Sequence, residues 1–262
     1  MIIKQIYTYN NYRNFNYIIA CSLTREAILI DPLASRKCLE VAKKNNFRIT
    51  AIINTHEHMD HIGGNEAIIK ETGAKVYAHF NAKNTIPNMH KGLKAGDFFK
   101  LGKTVDIEIL DTPGHTLSHI CLLVRGDKQV LFSGDTLFNA GVGNCHNGGD
   151  PLQLYKTFYE QLVKLTPETI IYPGHDYLEN NLAFTLSIEP DNNDAKYLLS
   201  KTKDKNFSLK YVSSIKNEFK VNTFFRLKEE AIINFLKDNR ELDSNNSPED
   251  VFLALRRRRN NW

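Results

Sequence analysis

The most concentrated set of potentially reactive side chains lies in one short run that follows an apolar, β-branched segment. The run contains His56, His58, Asp60 and His61 within six residues. Imidazole and carboxylate groups together suit zinc, iron or manganese, and the lack of a nearby cysteine argues against a structural zinc site. His56 and His58 can share one ion, while Asp60 and His61 can reach a second. The spacing therefore predicts a metal centre carried by a loop.

Three further segments each place a ligand-type residue directly after a glycine that follows a strand-like stretch. These residues are His115, Asp135 and His175. Each glycine permits a tight turn close to a metal. The total of seven candidate ligands is about what two four-coordinate ions need when they share a carboxylate and a water. We interpret His79 and His90, which stand outside these patterns, as ordinary core or surface residues.

The elements that must position these ligands are short strands separated by turns over the first two-thirds of the chain. The apolar runs 120–124 and 129–132 flank a Gly126-Asp127 turn and predict a hairpin. A single helix is predicted over 62–72. Strands mixed with helices in this order favour an α/β fold with mixed sheets.

The last third of the chain differs, because helices with polar breaks replace the strands. The final helix is predicted over 247–259, with Ser247 as N-cap and Pro248 at the first helical position. We therefore divide the chain into a metal-binding catalytic domain, 1–176, and a smaller helical substrate-binding domain, 177–262.

Composition excludes several broad classes of protein. The net charge of +4 arises from 34 basic and 30 acidic residues, and four consecutive arginines at 256–259 account for the excess. A chain-wide nucleic-acid-binding surface is therefore not expected. No stretch approaches the roughly 20 apolar residues of a membrane helix, and the N-terminus has no signal-peptide pattern. With its four scattered cysteines read as reduced thiols, we expect a cytoplasmic protein that binds neither nucleic acid nor membranes.

The order of the candidate ligands resembles the HxHxDH–H–D–H series of the metallo-β-lactamase superfamily throughout. The resemblance implies an αββα sandwich, with the metals at one edge between its two sheets. It implies that the first metal is held by His56, His58 and His115. The second would be held by Asp60, His61 and His175, and Asp135 would bridge the two ions.

Two metals about 3.5–4 Å apart would make hydroxide available at neutral pH and stabilise the oxyanion formed when it attacks a carbonyl. Asp60 could also orient the nucleophile, so we assign it a catalytic role. Zinc is the favoured ion, with iron and manganese as alternatives. Asp31 matches a family aspartate that supports the ligand loop, although a simple turn residue before Pro32 is the competing interpretation.

The rest of the chain resembles the glyoxalase II, or hydroxyacylglutathione hydrolase, branch of that superfamily. Residues 134–143 resemble its GDTLFxxGxG segment, and residues 174–190 are similar to its GHEY…NNLxF…EP stretch. Residues 222–226 match N-P-F-[LM]-R except for a threonine at the proline position, and 254–262 resemble the family's terminus. The resemblance implies methylglyoxal detoxification chemistry, in which a metal-bridging hydroxide hydrolyses S-D-lactoylglutathione to D-lactate and glutathione.

In that family, basic residues of the terminal helix bind the glutathione carboxylate, and they correspond here to Arg256 and Arg259. At 100° per residue, these two share the side of Phe252, whereas Arg257 and Arg258 point elsewhere. We therefore assign Arg256 and Arg259 to an anion clamp and the other two arginines to a solvated face.

Other substrate contacts are partly altered relative to the family. Tyr177 matches a family tyrosine, but Asn144 and His146 stand where the family has a lysine and a tyrosine that contact glutathione. We assign all three to substrate binding and expect intact thioester chemistry with altered recognition of the thiol carrier. Cys145 lies between Asn144 and His146 and could line a thiol pocket. The preferred interpretation is that it is an unreactive loop residue.

Several alternative functions remain open at this point. One is a mono-iron persulfide dioxygenase of the same superfamily, whose members generally lack a large C-terminal helical domain. Another is a hydrolase of a different thioester or ester. A more remote one is an RNA-binding or RNA-processing protein that uses the arginines at 256–259. A β-lactamase is disfavoured by the missing export signal, and a non-catalytic binding module by the complete ligand series.

Overall fold

A computed structural model describes the backbone of all 262 residues and every side chain except those of Lys205, Asn206 and Ser208. Contacts within the chain divide it into two units. Unit 1 consists of Met1–Thr112, Ser118–Asp135 and Tyr172–His175. Unit 2 consists of Pro113–Leu117, Thr136–Ile171 and Asp176–Trp262. Each unit is therefore assembled from three separate segments of sequence.

The first sheet of unit 1 contains six strands in chain order, with antiparallel pairing among the first three and parallel pairing after that. The strands are β1 (Ile2–Tyr7), β2 (Phe15–Ala20), β3 (Glu26–Ile30), β4 (Arg48–Ile53), β5 (Lys75–His79) and β6 (Met89–Leu93). Parallel neighbours need crossover connections, which are provided largely by helices. The helices are α1 (Ser35–Lys44), α2 (Met59–Ile62) and α3 (Asn65–Thr72), and a 3₁₀ turn spans Phe80–Asn84.

The second sheet of unit 1 is antiparallel and contains β7 (Phe98–Leu101), β8 (Val105–Asp111), β9 (Ile120–Arg125) and β10 (Gln129–Gly134). Strand β13 (Ile170–Pro173) neighbours β10 in the strand order, and its residues 172–173 belong to this unit. The predicted hairpin is confirmed, with Val130 opposite Val124. The two sheets meet through aromatic side chains, because the Tyr17 ring lies 5.1 Å from that of Phe132.

Helices α1 and α3 cover the first sheet with apolar side chains. Cys38 and Ile68, one from each helix, are fully buried in the same cluster as Ile18, Leu29 and Ile52 of the sheet. Removing this apolar surface from water stabilises the layered arrangement. The predicted α/β class with mixed sheets is therefore confirmed.

The prediction of one continuous helix over 62–72 is wrong, because the helix is interrupted at Gly63 and Gly64. A Cβ atom at Gly64 would lie 1.9 Å from the main-chain oxygen of Pro32. The glycine thus permits a close approach between two distant parts of the chain. This break leaves Asp60 and His61 on the separate short helix α2.

Unit 2 is mainly helical, as predicted for the end of the chain. Its helices are α4 (Pro151–Glu160), α5 (Leu178–Ile188), α6 (Asn193–Thr202), α7 (Lys205–Lys210), α8 (Ile215–Val221), α9 (Glu230–Asp238) and α10 (Pro248–Asn260). Short strands β11 (Leu137–Phe138) and β12 (Gly141–Val142) pair with each other, and β14 (Ser213–Ser214) pairs with Ile170 and Ile171. The 3₁₀ segments are Leu162–Lys164 and Thr223–Phe225.

The terminal helix α10 begins as the sequence predicts and is anchored by one aromatic residue. Ser247 accepts a hydrogen bond from the Asp250 main-chain N–H, and the Asp250 carboxylate reciprocates in a capping box. The Phe252 ring is fully buried, with its centre 5.6 Å from that of Tyr155 and 5.1 Å from that of Phe224. The direction and position of α10 within unit 2 are therefore well defined.

The sequence predicts no membrane-spanning helix and four reduced cysteines, and the described part of the chain can be compared with both expectations. None of its helices combines the length and the apolar character that crossing a membrane requires. The four cysteines are free thiols, and only Cys145 is not fully buried.

Candidate metal centre

Four predicted ligands of unit 1 bring their side-chain donor atoms together. The Nε2 atom of His61 lies 3.2 Å from His175 Nε2, 3.4 Å from an oxygen of Asp135 and 3.6 Å from an oxygen of Asp60. His175 Nε2 lies 3.1 Å from the second oxygen of Asp135 and 3.5 Å from the same Asp60 oxygen. The four side chains come from three different places in the sequence, the short helix α2 and the turns after β10 and β13.

The two histidines are held in the tautomer that a metal ion requires. His175 Nδ1 lies 2.6 Å from the main-chain oxygen of Tyr12, which can only accept, so Nδ1 carries the proton. His61 Nδ1 lies 2.9 Å from a carboxylate oxygen of Asp31 in the same way. The two Nε2 atoms, which face each other at 3.2 Å, are therefore the ring nitrogens available to a metal ion. A divalent cation held by these residues would stabilise this arrangement, because two imidazoles and two carboxylates are a donor set that suits such an ion.

In this cluster, burial and the opposite charges of neighbouring side chains shift the pKa values in opposite directions. Burial acts to raise the pKa of Asp135, but His175 and His61 outweigh it and hold that pKa well below its usual value. Burial likewise acts to lower the pKa of His61, while the carboxylates of Asp135 and Asp31 raise it well above the ordinary range. Asp135 is therefore a stable anion whose charge requires a positive neighbour.

Asp31 connects the ligand loop to one of the ligands. Its two carboxylate oxygens accept hydrogen bonds from the main-chain N–H and the hydroxyl of Thr55, at 2.8 and 2.6 Å. The second oxygen also faces His61 Nδ1. Asp31 is 2% exposed and adopts a left-handed backbone with φ of 48°. It is thus both a turn residue and a support for the ligand loop.

We expect Asp31→Asn to weaken metal binding by about 10–100-fold, the usual effect of losing an outer-sphere partner. Asparagine tolerates the left-handed backbone but lacks the negative charge beside His61. Competition with a chromophoric chelator measures the affinity. Asp127→Asn is the matched control, since that carboxylate is 82% exposed. Equal affinities for Asp31→Asn and the control would contradict this role.

His56 and His58, predicted to share one ion, also lie side by side in unit 1. His56 Nε2 is 3.1 Å from His58 Nδ1. The other nitrogen of His56 lies 3.0 Å from the Thr55 hydroxyl, and its ring centre is 4.1 Å from that of His61. These two imidazoles therefore adjoin the cluster around His61.

Two residues that hold the ligands in place were not predicted to do so. His119 accepts a hydrogen bond at Nε2 from the main-chain N–H of Asp135, and its Nδ1 lies 2.9 Å from the Thr112 hydroxyl. Asn14 donates to the side chain of Asp60 at 3.0 Å. The histidine-rich context was a weak signal for His119, whereas nothing in the spacing pointed to Asn14.

His115, the remaining predicted ligand, belongs to unit 2. Its Nδ1 lies 2.6 Å from the main-chain oxygen of Asn144, so Nδ1 carries the proton and Nε2 keeps a lone pair. The preceding Gly114 has φ of 155°, and a Cβ atom there would lie 2.5 Å from the Leu154 Cα. The turn that carries His115 is thus packed directly on helix α4.

A cavity of about 260 Å³ in unit 2 brings together all five residues predicted to bind substrate. Those residues are Asn144, His146, Tyr177, Arg256 and Arg259. The cavity also includes apolar side chains such as Phe138. Two guanidinium groups beside apolar and amide groups suit a molecule that carries a carboxylate.

The two arginines of this cavity differ in how they are held. Arg256 is 3% exposed and donates four hydrogen bonds within the protein. Burial, with the nearby charge of Arg259, lowers the pKa of Arg256 to about 10, so it stays charged at neutral pH. Arg259 is only partly buried and makes one long hydrogen bond, 3.4 Å, to the Asn181 side chain.

The other two arginines of the terminal run are not among the residues that line this cavity, but only Arg257 lies on a solvated face as predicted. The prediction is wrong for Arg258, whose side chain is only 23% exposed because it packs against α9 and pairs with a carboxylate. Arg258 forms an ion pair with Glu241, and its guanidinium lies 4.6 Å from the centre of the Phe235 ring. Arg257 is exposed. The positive charge at 256–259 is thus divided among the cavity, a partly buried ion pair and one exposed position.

Comparison with known proteins agrees with this description. Residues 14–175 match the family described as the metallo-beta-lactamase superfamily. Residues 176–262 match the family described as hydroxyacylglutathione hydrolase C-terminus. Together the two matches account for nearly the whole chain.

Two relatives and one solved structure are similar to this chain over nearly its full length. A hydroxyacylglutathione hydrolase of Nitrosococcus oceani is 53% identical, and one of Polaromonas sp. is 51% identical, each covering 100% of both chains. The structure of ETHE1 from Myxococcus xanthus aligns with a TM-score of 0.68 at 27% identity, covering 99% of this chain and 98% of that one. The chain therefore belongs to the hydroxyacylglutathione hydrolase family of the metallo-beta-lactamase superfamily.

Proposed function

We propose that the protein is a binuclear metal-dependent hydrolase of glutathione thioesters, which converts S-D-lactoylglutathione and water to D-lactate and glutathione. The observation that carries this proposal is the convergence of Asp60, His61, Asp135 and His175 on one point. The cavity with two arginines and the names of the full-length relatives support the choice of substrate.

The proposed metal assignment uses all seven predicted ligands. One ion would be held by His56, His58 and His115. The other would be held by Asp60, His61 and His175, with Asp135 shared between them. When bound, two such ions, for which we favour zinc over iron or manganese, polarise the thioester carbonyl and make hydroxide available near neutral pH.

The side chains around the reacting atoms orient the nucleophile and the leaving group. Asp60 is held by Asn14 at 3.0 Å and its side chain is 24% exposed, so one side of its carboxylate faces solvent. We assign it the role of accepting a hydrogen bond from the attacking water. The departing thiolate needs little protonation, since the pKa of a thiol is about 8.5. No separate general acid is required.

Substrate recognition is proposed for the cavity in unit 2. Arg259 and Tyr177 would contact the carboxylate-bearing thiol, while Arg256 adds positive charge behind them. Asn144 and His146 would replace a family lysine and tyrosine, which lowers the charge of the pocket. We expect the protein to accept acidic thioesters more broadly than a strict glutathione site does.

Three further proposals concern the setting of the reaction. The chain is divided into a metal-binding catalytic domain, 1–176, which also contributes Asn144 and His146 to substrate binding, and a smaller helical substrate-binding domain, 177–262. The protein acts in the cytoplasm. Its partners are small thioesters, and nucleic acids and membranes are not among them.

A thioester panel tests the proposed function. The metal-loaded protein should release one free thiol per turnover from S-D-lactoylglutathione, measured with a thiol reagent. Oxygen uptake on glutathione persulfide and salt-sensitive RNA binding should not be observed. Activity on another class of substrate, with no turnover of any glutathione thioester, would overturn the proposal.

Arg259→Gln is expected to raise the KM for S-D-lactoylglutathione about 10–100-fold and to change kcat little, because a hydrogen bond to a charged group contributes about 1.5–3 kcal/mol. The same variant should leave the KM for an uncharged thioester of N-acetylcysteamine unchanged. Arg257→Gln, at an exposed position of the same helix, is the control. An equal effect of Arg259→Gln on both substrates would refute a carboxylate contact.

A further inference from the structure

We infer that Arg256 is a positioning residue, which joins the terminal helix to the segment 139–144 and, through that segment, orients His115. The inference rests on the proposed function, because His115 acts there as a metal ligand. It assigns Arg256 a role in the metal centre in addition to its positive charge beside the substrate. All the residues involved belong to unit 2.

The segment 139–144 is held from its start by buried side chains of two helices. Asn181 of α5, which is 3% exposed, donates to the main-chain oxygen of Asn139 at 3.0 Å. Glu218 of α8, fully buried, accepts from the main-chain N–H of Ala140 at 2.9 Å. Ala140 has φ of 59°, an unfavourable backbone conformation that persists because its surroundings fix it.

The other half of the segment depends on Arg256. Its Nη1 donates to the main-chain oxygens of Val142 and Gly143, at 3.2 and 3.0 Å. Its Nε and Nη2 both donate to the side-chain oxygen of Asn260, at 3.1 and 2.9 Å, which fixes the plane of the guanidinium.

The next carbonyl along the chain orients the metal ligand. Directly after Gly143, the main-chain oxygen of Asn144 lies 2.6 Å from His115 Nδ1. Such an acceptor selects the tautomer of a ligating histidine and fixes the direction of its free lone pair. Displacing the carbonyls of Val142 and Gly143 would therefore shift the acceptor of His115.

Lysine cannot reproduce this arrangement, although it keeps the positive charge. A guanidinium presents its N–H groups in a planar fork, whereas an ammonium is a compact point charge. The geometry of Arg256 uses that fork in two directions, toward Asn260 and toward the segment 139–144. Arg256→Lys keeps the positive charge but loses the planar fork, so it tests the positioning role separately from the effect of charge.

The test compares variants of two arginines on the same helix. Arg256→Lys and Arg256→Gln are each assayed for metal retained in competition with a chelator, and for kcat and KM on S-D-lactoylglutathione and on an uncharged N-acetylcysteamine thioester. Arg259→Gln serves as the substrate-contact comparison and Arg257→Gln as the control. Circular dichroism and thermal unfolding establish that each variant is folded.

Positioning predicts that both Arg256 variants lose metal affinity by about 10–100-fold, with kcat lowered on both substrates. The KM should stay within about twofold for Arg256→Lys, which keeps the positive charge, whereas Arg256→Gln should also raise the KM for the glutathione thioester. Arg259→Gln should instead change only the KM for the glutathione thioester. Asn260→Ala, a change at an exposed site that removes the outer partner of Arg256, should weaken metal binding to a smaller extent. This third variant answers the question even if both Arg256 variants fail to fold.

Wild-type metal affinity in Arg256→Lys, or in Asn260→Ala when neither Arg256 variant folds, would overturn the inference. So would a defect confined to the KM for the glutathione thioester, which would make Arg256 a direct clamp and leave the proposed function intact. Failure of the proposed function has a different signature, because the unaltered protein would then hydrolyse no glutathione thioester. The metal-affinity comparison still decides the role of Arg256 in that case.

Discussion

Asp135→Asn is expected to lower turnover by more than about 100-fold and to leave fewer than two metal ions bound per chain, a larger loss than removing an outer-sphere partner causes. The two carboxylate oxygens face different imidazoles, at 3.4 Å from His61 and 3.1 Å from His175. An amide would place N–H groups where one lone pair is required and would remove the negative charge. The main-chain N–H of Asp135 still reaches His119, so the turn itself should persist.

Elemental analysis and steady-state kinetics on the same Asp135→Asn sample check this result. Asp191→Asn is a suitable control, because its side chain is fully exposed and forms a surface ion pair with Lys196. Normal metal content together with normal kcat would show that Asp135 is not a ligand.

Gly174→Ala should be about as damaging as Asp135→Asn, for a purely steric reason. A Cβ atom at Gly174 would lie 2.2 Å from an oxygen of Asp135 and 3.0 Å from His61 Cε1. The backbone cannot withdraw easily, since its N–H donates to Gly134 and its carbonyl accepts from Phe15, both at 2.8 Å. One added methyl group therefore has to displace a ligand.

We expect Gly174→Ala to lose metal and to lower turnover by more than about 100-fold. The free energy of unfolding should fall by about 1–3 kcal/mol. Gly126→Ala makes the same substitution in a turn. A Cβ atom there would have the Cβ of Met1 as its nearest neighbour, at 3.1 Å. This variant should retain metal and activity. Full activity in Gly174→Ala would contradict the packing described for this site.

Much of the site could be predicted from sequence because metal ligands recur at short spacings after strands. Residues that contribute one isolated contact outside any motif could not be predicted in this way. Asn14 reaches Asp60 across 46 positions, and no pattern marks such a pair. The break at Gly64 depends on the distant carbonyl of Pro32. Helix α1 also escapes prediction, because Ala34 at its N-cap supplies no capping side chain.

For the terminal helix, helical geometry predicted which face the arginines occupy but not which groups they contact. Its 100° periodicity placed Arg256 and Arg259 on the side of Phe252, and both line the cavity. Their different surroundings could not be inferred, because the partners of Arg256 include main-chain carbonyls more than a hundred positions away. The similar bidentate pair of Arg226 and Glu189, at 2.7 and 3.1 Å, likewise joins two motif residues for a structural purpose.

The central claim is that two metal ions and this set of ligands together hydrolyse a glutathione thioester. The most direct measurement is a titration of metal-depleted protein with zinc, during which thiol release from S-D-lactoylglutathione is recorded at each addition. The account predicts no turnover without metal and an activity that reaches its maximum at two equivalents of zinc per chain. Full activity at one equivalent, or thiol release that does not depend on metal, would contradict it.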